Sequence, residues 1–293
     1  MCLGLKTRNR NHHRFREKAC RRLKTLQASI EYIIAGLTIL SILVVAETNM
    51  LTLIVHTLTD VQQEVSYGKA EEILDTLLLS PGYPPDWGAD SEVPELMGLA
   101  VQSSTEEYIL DPKKVLRLTE YSDHYIPPAT ARSILGLDRG YQFSLRIIPF
   151  FIITINNQGN GTYTISVVNY RGVPASNVNV TGYYISIPFR YNATYQIESA
   201  ITGVDGTCTL TFDYTPNSTL LVCASQLGVE SLAAEESNLN LKVKNGYVVE
   251  SETPIIASVE YSTGALSQLK KDVITKFVKI DGYTYYVDFI LWR

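Results

Sequence analysis

The sequence predicts an α+β protein, a long apolar N-terminal helix followed by a mainly β body. Three observations carry this. From Tyr32 to Ala46 no residue is charged, and apolar residues resume after Glu47, Thr48 and Asn49. No Pro or Gly interrupts the chain between Gly36 and Gly68. Beyond Tyr141, apolar and polar residues alternate in short runs separated by Gly, Asn and Pro, the period of half-buried strands.

The charge balance sets the orientation of the helix. Residues 1–26 hold nine of the 25 Lys and Arg and a single acid, Glu17, which leaves 16 basic against 29 acidic residues beyond Leu26, a balance of −13. A basic head that runs straight into an apolar segment reads as the cytoplasmic flank of a membrane helix. The acidic remainder argues against nucleic acid as a partner.

At ~1.5 Å per residue, Tyr32–Ala46 spans only about 22 Å, short of a hydrocarbon core of ~30 Å. The apolar residues Met50, Leu51, Leu53, Ile54, Val55 and Leu58 extend it. Ile54, Leu58, Val61 and Val65 then follow steps of four, three and four, one face of an amphipathic helix. A single helix is expected from about Ser29 to Leu79, in the membrane at its start and packed against the body at its end. Ser80-Pro81-Gly82 stops it.

The stretch Lys24-Thr-Leu-Gln-Ala-Ser-Ile-Glu-Tyr-Ile-Ile resembles the processing site of archaeal class III signal peptides, found on type IV pilin-like proteins. In that family a basic leader ends before a Gln, with Ser two and Glu four residues further on. Gln27, Ser29 and Glu31 match those positions, whereas Leu26 stands where Gly is common and the leader is longer than most. The resemblance implies cleavage between Leu26 and Gln27 by a prepilin-type peptidase, with the helix left in the membrane and assembling with other pilin-like subunits. Glu31 fits that role physically. A carboxylate on an apolar helix costs roughly 2.5–3.5 kcal/mol if carried to the bilayer centre, so it usually has a partner. In such filaments the implied partner is the new N-terminal amine of a neighbouring subunit, and the bland alternative is that Glu31 sits in the wet interface.

Two other readings fit the same segment. Val44-Val45-Ala46 before Glu47 resembles an ordinary signal-peptidase site, which would release a soluble secreted protein. An uncleaved membrane anchor is the other.

Cys208 and Cys223 bracket two strand-like runs around Thr215-Pro216-Asn217. A hairpin centred there sets the two cysteines opposite each other for a cross-strand disulfide, with two free buried thiols as the alternative. Four Asn-x-Ser/Thr sequons, at Asn160, Asn179, Asn192 and Asn217, suit a glycosylated outer surface. A Thr- and Asn-rich β body with accidental sequons is the competing account, and both place these asparagines on the surface.

Asp111-Pro112 should cap a short helix through Leu118, and a second is expected from Ala129 to Leu135. The order Ser80-Pro-Gly, Asp86-Trp-Gly, Gly98-Leu-Ala and Leu110-Asp-Pro-Lys-Lys-Val resembles the head segment of archaeal pilin-like membrane proteins. Val167–Ser225 resembles a carboxypeptidase-regulatory-like or related Ig-like β-sandwich. The carrying residues are Asn169-Tyr-Arg-Gly-Val-Pro-Ala-Ser-Asn-Val-Asn-Val and Thr202-Gly-Val-Asp-Gly-Thr-Cys-Thr-Leu-Thr-Phe. Asp281-Gly282 between alternating runs marks a hairpin, expected to return to the strand at 141–155. The organisation expected is a leader at 1–26, the apolar helix at 27–80, a mixed head segment at 81–158, the sandwich at 159–263 and a returning hairpin at 264–293.

Nothing in the chain reads as catalytic machinery, and no cofactor or metal is expected. His56 and His124 are the only histidines beyond the leader, and there is no phosphate loop, nucleophile elbow or His-Glu-x-x-His. Asp60 with Glu64, and Glu71 with Asp75, share helix faces but read as solvated surface. The 19 tyrosines suit either strand faces or an adhesive surface. The expected role is that of a structural and interaction protein, a pilin-like or minor pilin-like subunit with its body outside the cell. The alternative is a membrane-anchored binding or adhesion protein that forms no filament.

Overall fold

A computed structural model describes the backbone of residues 8–137, 140–187, 195–236, 239–264 and 271–292, and side chains within these ranges from residue 31 onward, residues 56–66 excepted. The chain is α+β, an N-terminal apolar helix followed by a mainly β body. It divides into two compact units, Met1–Val65 and Ser66–Arg293.

Helix α1 spans Arg8–Leu79, 72 residues. The start expected near Ser29 is therefore about twenty residues too late. No Pro or Gly lies between Arg8 and Ser29, so nothing in the basic stretch breaks the helix. The stop falls where Ser80-Pro81-Gly82 places it. In the last turns Ala70, Ile73, Leu74, Leu77 and Leu78 are buried, a stripe of steps three and one, while Glu71, Glu72 and Thr76 face solvent.

The end of α1 is held by the loop that follows. The Leu99 N–H donates to the Leu77 carbonyl at 2.7 Å and the Ala100 N–H to the Ser80 carbonyl at 3.1 Å, partners for groups a helix end leaves open. Backbones approach so closely here that a Cβ on Gly98 would stand 2.3 Å from the Ser80 oxygen. The Trp87 indole, fully buried, donates to the Gly98 carbonyl at 2.9 Å. Helix α2, Pro112–Leu116, starts on the Asp111 carboxylate, which accepts from the Lys113 N–H at 2.9 Å as the Asp-Pro pair predicts. It carries Lys114 into the loop, where the ammonium donates to the carbonyls of Pro81 at 2.9 Å and Ala100 at 2.8 Å. Arg117 donates to the carbonyls of His124, Trp87 and Glu92 and lies over the Trp87 ring. Helix α3 follows at Pro128–Ile134.

The first sheet has the order β1-β13-β14-β2-β12. Its strands are β1 Ile109–Leu110, β2 Gln142–Pro149, β12 Val259–Ser262, β13 Lys271–Ile280 and β14 Tyr283–Trp292. The hairpin β13–β14 turns through Asp281 and Gly282 with φ of 52° and 93°, the left-handed geometry that Asp-Gly favours. It returns to β2, with Val287 opposite Ile147. The core on one face joins the end of α1 to Phe143, Leu145, Ile147, Val278, Val287 and Phe289.

Between β2 and β12 the chain builds a second layer pair. Strands β3 Phe151–Gly159, β4 Thr162–Asn169 and β7 Thr207–Thr211 form one sheet. Strands β5 Asn179–Ser186, β6 Tyr195–Ile201, β8 Ser218–Gln226 and β9 Val229–Ala234 form another, ordered β6-β5-β8-β9. The two share a core of Phe151, Tyr163, Ile165, Val180, Tyr184, Leu210 and Val222. A short hairpin of β10 Leu241–Lys244 and β11 Tyr247–Glu250 follows. The run 141–155, read from sequence as one strand, is two. Pro149 has no N–H to continue a ladder, and β3 pairs with β4 in a different sheet. The boundary expected at 158/159 therefore lies at Phe150, and β12 already belongs to the first sheet.

The inner strands β5 and β8 of the four-stranded sheet are buried on both faces, whereas the edge strand β6 is largely exposed. Val180, Tyr184, Leu220, Val222 and Ala224 point into the sandwich core, whereas their neighbours Tyr183, Ile185, Leu221 and Leu232 join the core of the first sheet. That is why β5 and β8 read as near-continuous buried runs instead of alternating ones.

Candidate functional site

Glu31–Val55 is a helical segment of 25 residues with mean hydropathy 2.0, and none of it is buried. At ~1.5 Å per residue it is about 37 Å long, enough for a hydrocarbon core of ~30 Å. By length and composition it is suited to cross a membrane or to serve as a signal sequence. Its polar groups are largely settled within the helix. The hydroxyls of Thr38, Ser41, Thr48 and Thr52 donate to the carbonyls of Ala35, Leu37, Val45 and Thr48 at 2.8–2.9 Å. These are all the Ser and Thr of the segment. Such back-bonding satisfies a hydroxyl without water, as an apolar solvent demands.

Glu31 opens the segment and is exposed. α1 runs through Leu26, Gln27 and Ser29, whose side chains lie outside the described residues. At ~100° per residue, Glu31, Thr38, Ser41, Thr48, Asn49 and Thr52 fall within an arc of about 100°, a polar stripe along the apolar helix, with Glu47 on the opposite side. Its sequence signal is the helical-wheel spacing of these residues, which a run of uncharged residues alone does not display.

In the body, Asn160, Asn179 and Asn217 are exposed, and Asn192 lies outside the described residues. Asn160 and Asn217 have φ of 51° and 57°. Asn is among the few side-chain residues that enter this region readily, so turn geometry alone accounts for it at those two sequons.

The hairpin expected to join Cys208 to Cys223 does not form, and both thiols are free. β7 pairs with β4 and places Cys208 opposite Ile165, while β8 pairs with β5 and β9 and places Cys223 opposite Thr181 and Leu232. Cys208 packs against the sandwich core and Cys223 against the first core. β7 and β8 are neighbours in sequence but not in a sheet, and the Thr215-Pro216-Asn217 link crosses between sheets. Burial raises the Cys208 thiol and pushes the Cys223 thiol up to about 12, with Glu230 adding to the latter. Neither is therefore a ready thiolate. Treatment of the folded protein with an alkylating reagent at pH 8 should leave Cys208 and Cys223 unmodified, and denaturant should expose both. Peptide masses that differ between reducing and non-reducing digests would instead reveal a disulfide.

Most of the described tyrosines that are buried act as structural pegs. The hydroxyls of Tyr261, Tyr283 and Tyr285 donate to the carbonyls of Ile126, Val243 and Ile256 at 2.7–2.9 Å. A different group reaches the surface. Tyr170 stacks on Tyr286 with centroids 3.9 Å apart, and Phe150 and Phe277 pack edgewise or tilted around them. Phe277 remains half exposed. Among the described residues no group of three or more His, Cys, Asp or Glu is placed to hold a metal ion.

No known protein family, curated protein or solved structure matches the chain.

Proposed function

We propose that the chain is a structural and interaction protein, a type IV pilin-like or minor pilin-like subunit of the archaeal kind. A prepilin-type peptidase cleaves it between Leu26 and Gln27, the apolar helix holds it in the membrane or in a filament core, and the β body is displayed outside the cell. The observation that carries this is one of position. Gln27, Ser29 and Glu31 stand at the mouth of an unburied apolar helix of 25 residues, with the basic stretch on the other side. The polar stripe gives the helix a face for other helices, since polar side chains in membrane helices tend to meet one another. The two antiparallel sheets around one core favour an Ig-like, carboxypeptidase-regulatory-like module over any catalytic domain, and the exposed sequons allow glycans on it.

The mature N-terminus, read by mass spectrometry on protein from native membranes, tests the proposal. A chain that begins at Gln27 is the expected result. One that begins at Glu47 would mean a secreted soluble protein and overturn it. An intact leader would favour a second reading, an anchored extracellular binding protein that never assembles, for which the surface group around Phe277 is the supporting observation.

A further inference from the structure

The sandwich leaves the first sheet through Pro149–Phe151 and the chain returns through residues 255–257. Between these two crossings lies a cavity of ≈ 170 Å3, closed on its other sides by Ile153 of β3 and by Leu232 and Ala233 of β9. Every side chain that lines it is apolar. β3 and β9 are edge strands of separate sheets, with no ladder between them. The seam is pinned at both ends, where the Phe151 N–H donates to Ser231 Oγ at 3.0 Å and Asn157 Nδ2 donates to Glu235 Oε1 at 2.9 Å. The cavity occupies the open stretch between the pins. Ala257, at its rim, is exposed and gives access from solvent.

The space is partly open to solvent, with Ile152 and Ala257 exposed, and is large enough for a small guest. No lining side chain offers water a hydrogen bond, so only backbone groups of the two crossings and strand edges can hold it there. Apolar cavities of about 150 Å3 in other proteins stay dry and take up benzene or xenon. We propose that this cavity is a binding site for one small apolar molecule, a neutral hydrocarbon of about the size of benzene. The guest supplies the dispersion contacts that the bare wall forgoes. Because both crossings form the wall, an occupied site also ties the sandwich to the first sheet. None of this depends on processing or on filament assembly.

The test uses the full chain in lipid nanodiscs with labelled Ile, Leu and Val methyl groups, titrated with benzene. Saturable shifts are expected at the methyls of Ile153, Leu232 and Ile255, with those of Val180 and Val222 in the sandwich core unmoved. Two variants fill the space independently, Ala233→Leu on β9 and Ala257→Leu at the exposed rim. Each should weaken binding at least tenfold. Shifts that never saturate, shifts of equal size at Val180 and Val222, or undiminished binding by both filled variants would overturn the assignment.

Discussion

Lys114→Ala is expected to destabilise the body by roughly 3 kcal/mol, through one buried and one part-buried carbonyl left without this donor and the space of the lost stem. The side chain is fully buried, and its ammonium holds Pro81 on one side and Ala100 on the other. Those two residues flank the loop whose N–H groups cap the end of α1, so the damage reaches the helix that anchors the first core. For a unit of this size the loss corresponds to a fall in Tm of roughly 6–12 °C, measured by thermal unfolding of the full chain in detergent. Arg should not rescue, because the Lys114 stem already lies so close to Gly88 that an added Cβ there would meet its Cγ at 2.7 Å. The pH dependence gives a second readout. Burial pulls the Lys114 amine below its ordinary 10.5, with Asp111 and Asp86 offsetting part of the effect. Between the lowered value and 10.5 the unfolded chain holds a proton that the folded one lacks, so this group's contribution rises with pH across that window and is a constant cost below it. Lys114→Ala should lack that rise. A variant as stable as the parent would mean that the loop is held elsewhere.

The second large effect concerns assembly. Under the proposed function, Glu31→Ala should abolish filaments or membrane clusters while leaving the amount of chain in the membrane unchanged. Removal of a carboxylate from an apolar helix favours insertion, so a loss of assembly could not be blamed on a failure to enter the bilayer. Glu31→Gln separates charge from shape, since it keeps a polar side chain of the same size that can accept a hydrogen bond from an amine but cannot form an ion pair with it. Electron microscopy of sheared cells and cross-linking in membranes give the two readouts. Normal filaments in both variants would sink the pairing of Glu31 with a neighbour's N-terminus. Loss of the chain from the membrane would point to a targeting role.

Local signals were legible where one residue type dictates one geometry. Asp111-Pro112 gave a helix start, Asp281-Gly282 a hairpin and Ser80-Pro81-Gly82 a helix end, because each depends on contacts within a few residues. The return of the C-terminal hairpin to β2 was also readable, since two long alternating runs need a sheet to cover their apolar faces. What failed was pairing between strands. Cys208 and Cys223 lie in strands that follow one another but belong to different sheets, and nothing local to Thr215-Pro216-Asn217 distinguishes a hairpin from a crossing. The clamps were illegible for a related reason. Lys114 and Arg117 look like the solvated charges of a short helix until the carbonyls of residues up to 33 positions away in sequence surround them. For the N-terminal segment, the apolar run was readable, whereas the polar stripe required the angular position of each residue.

The double burial of β5 and β8 decides how the body comes apart. A module inserted between two strands of another sheet would ordinarily melt on its own and leave its host standing. Here Tyr183, Ile185 and Leu221 belong to the host's core while their neighbours in the same strands belong to the insert. Loss of either core strips one face of the shared sheet, so neither half is a separate thermodynamic unit. Residues 66–293 are therefore expected to melt as one cooperative block, with a single transition in calorimetry, and a fragment cut at the crossings would carry an open apolar face with it.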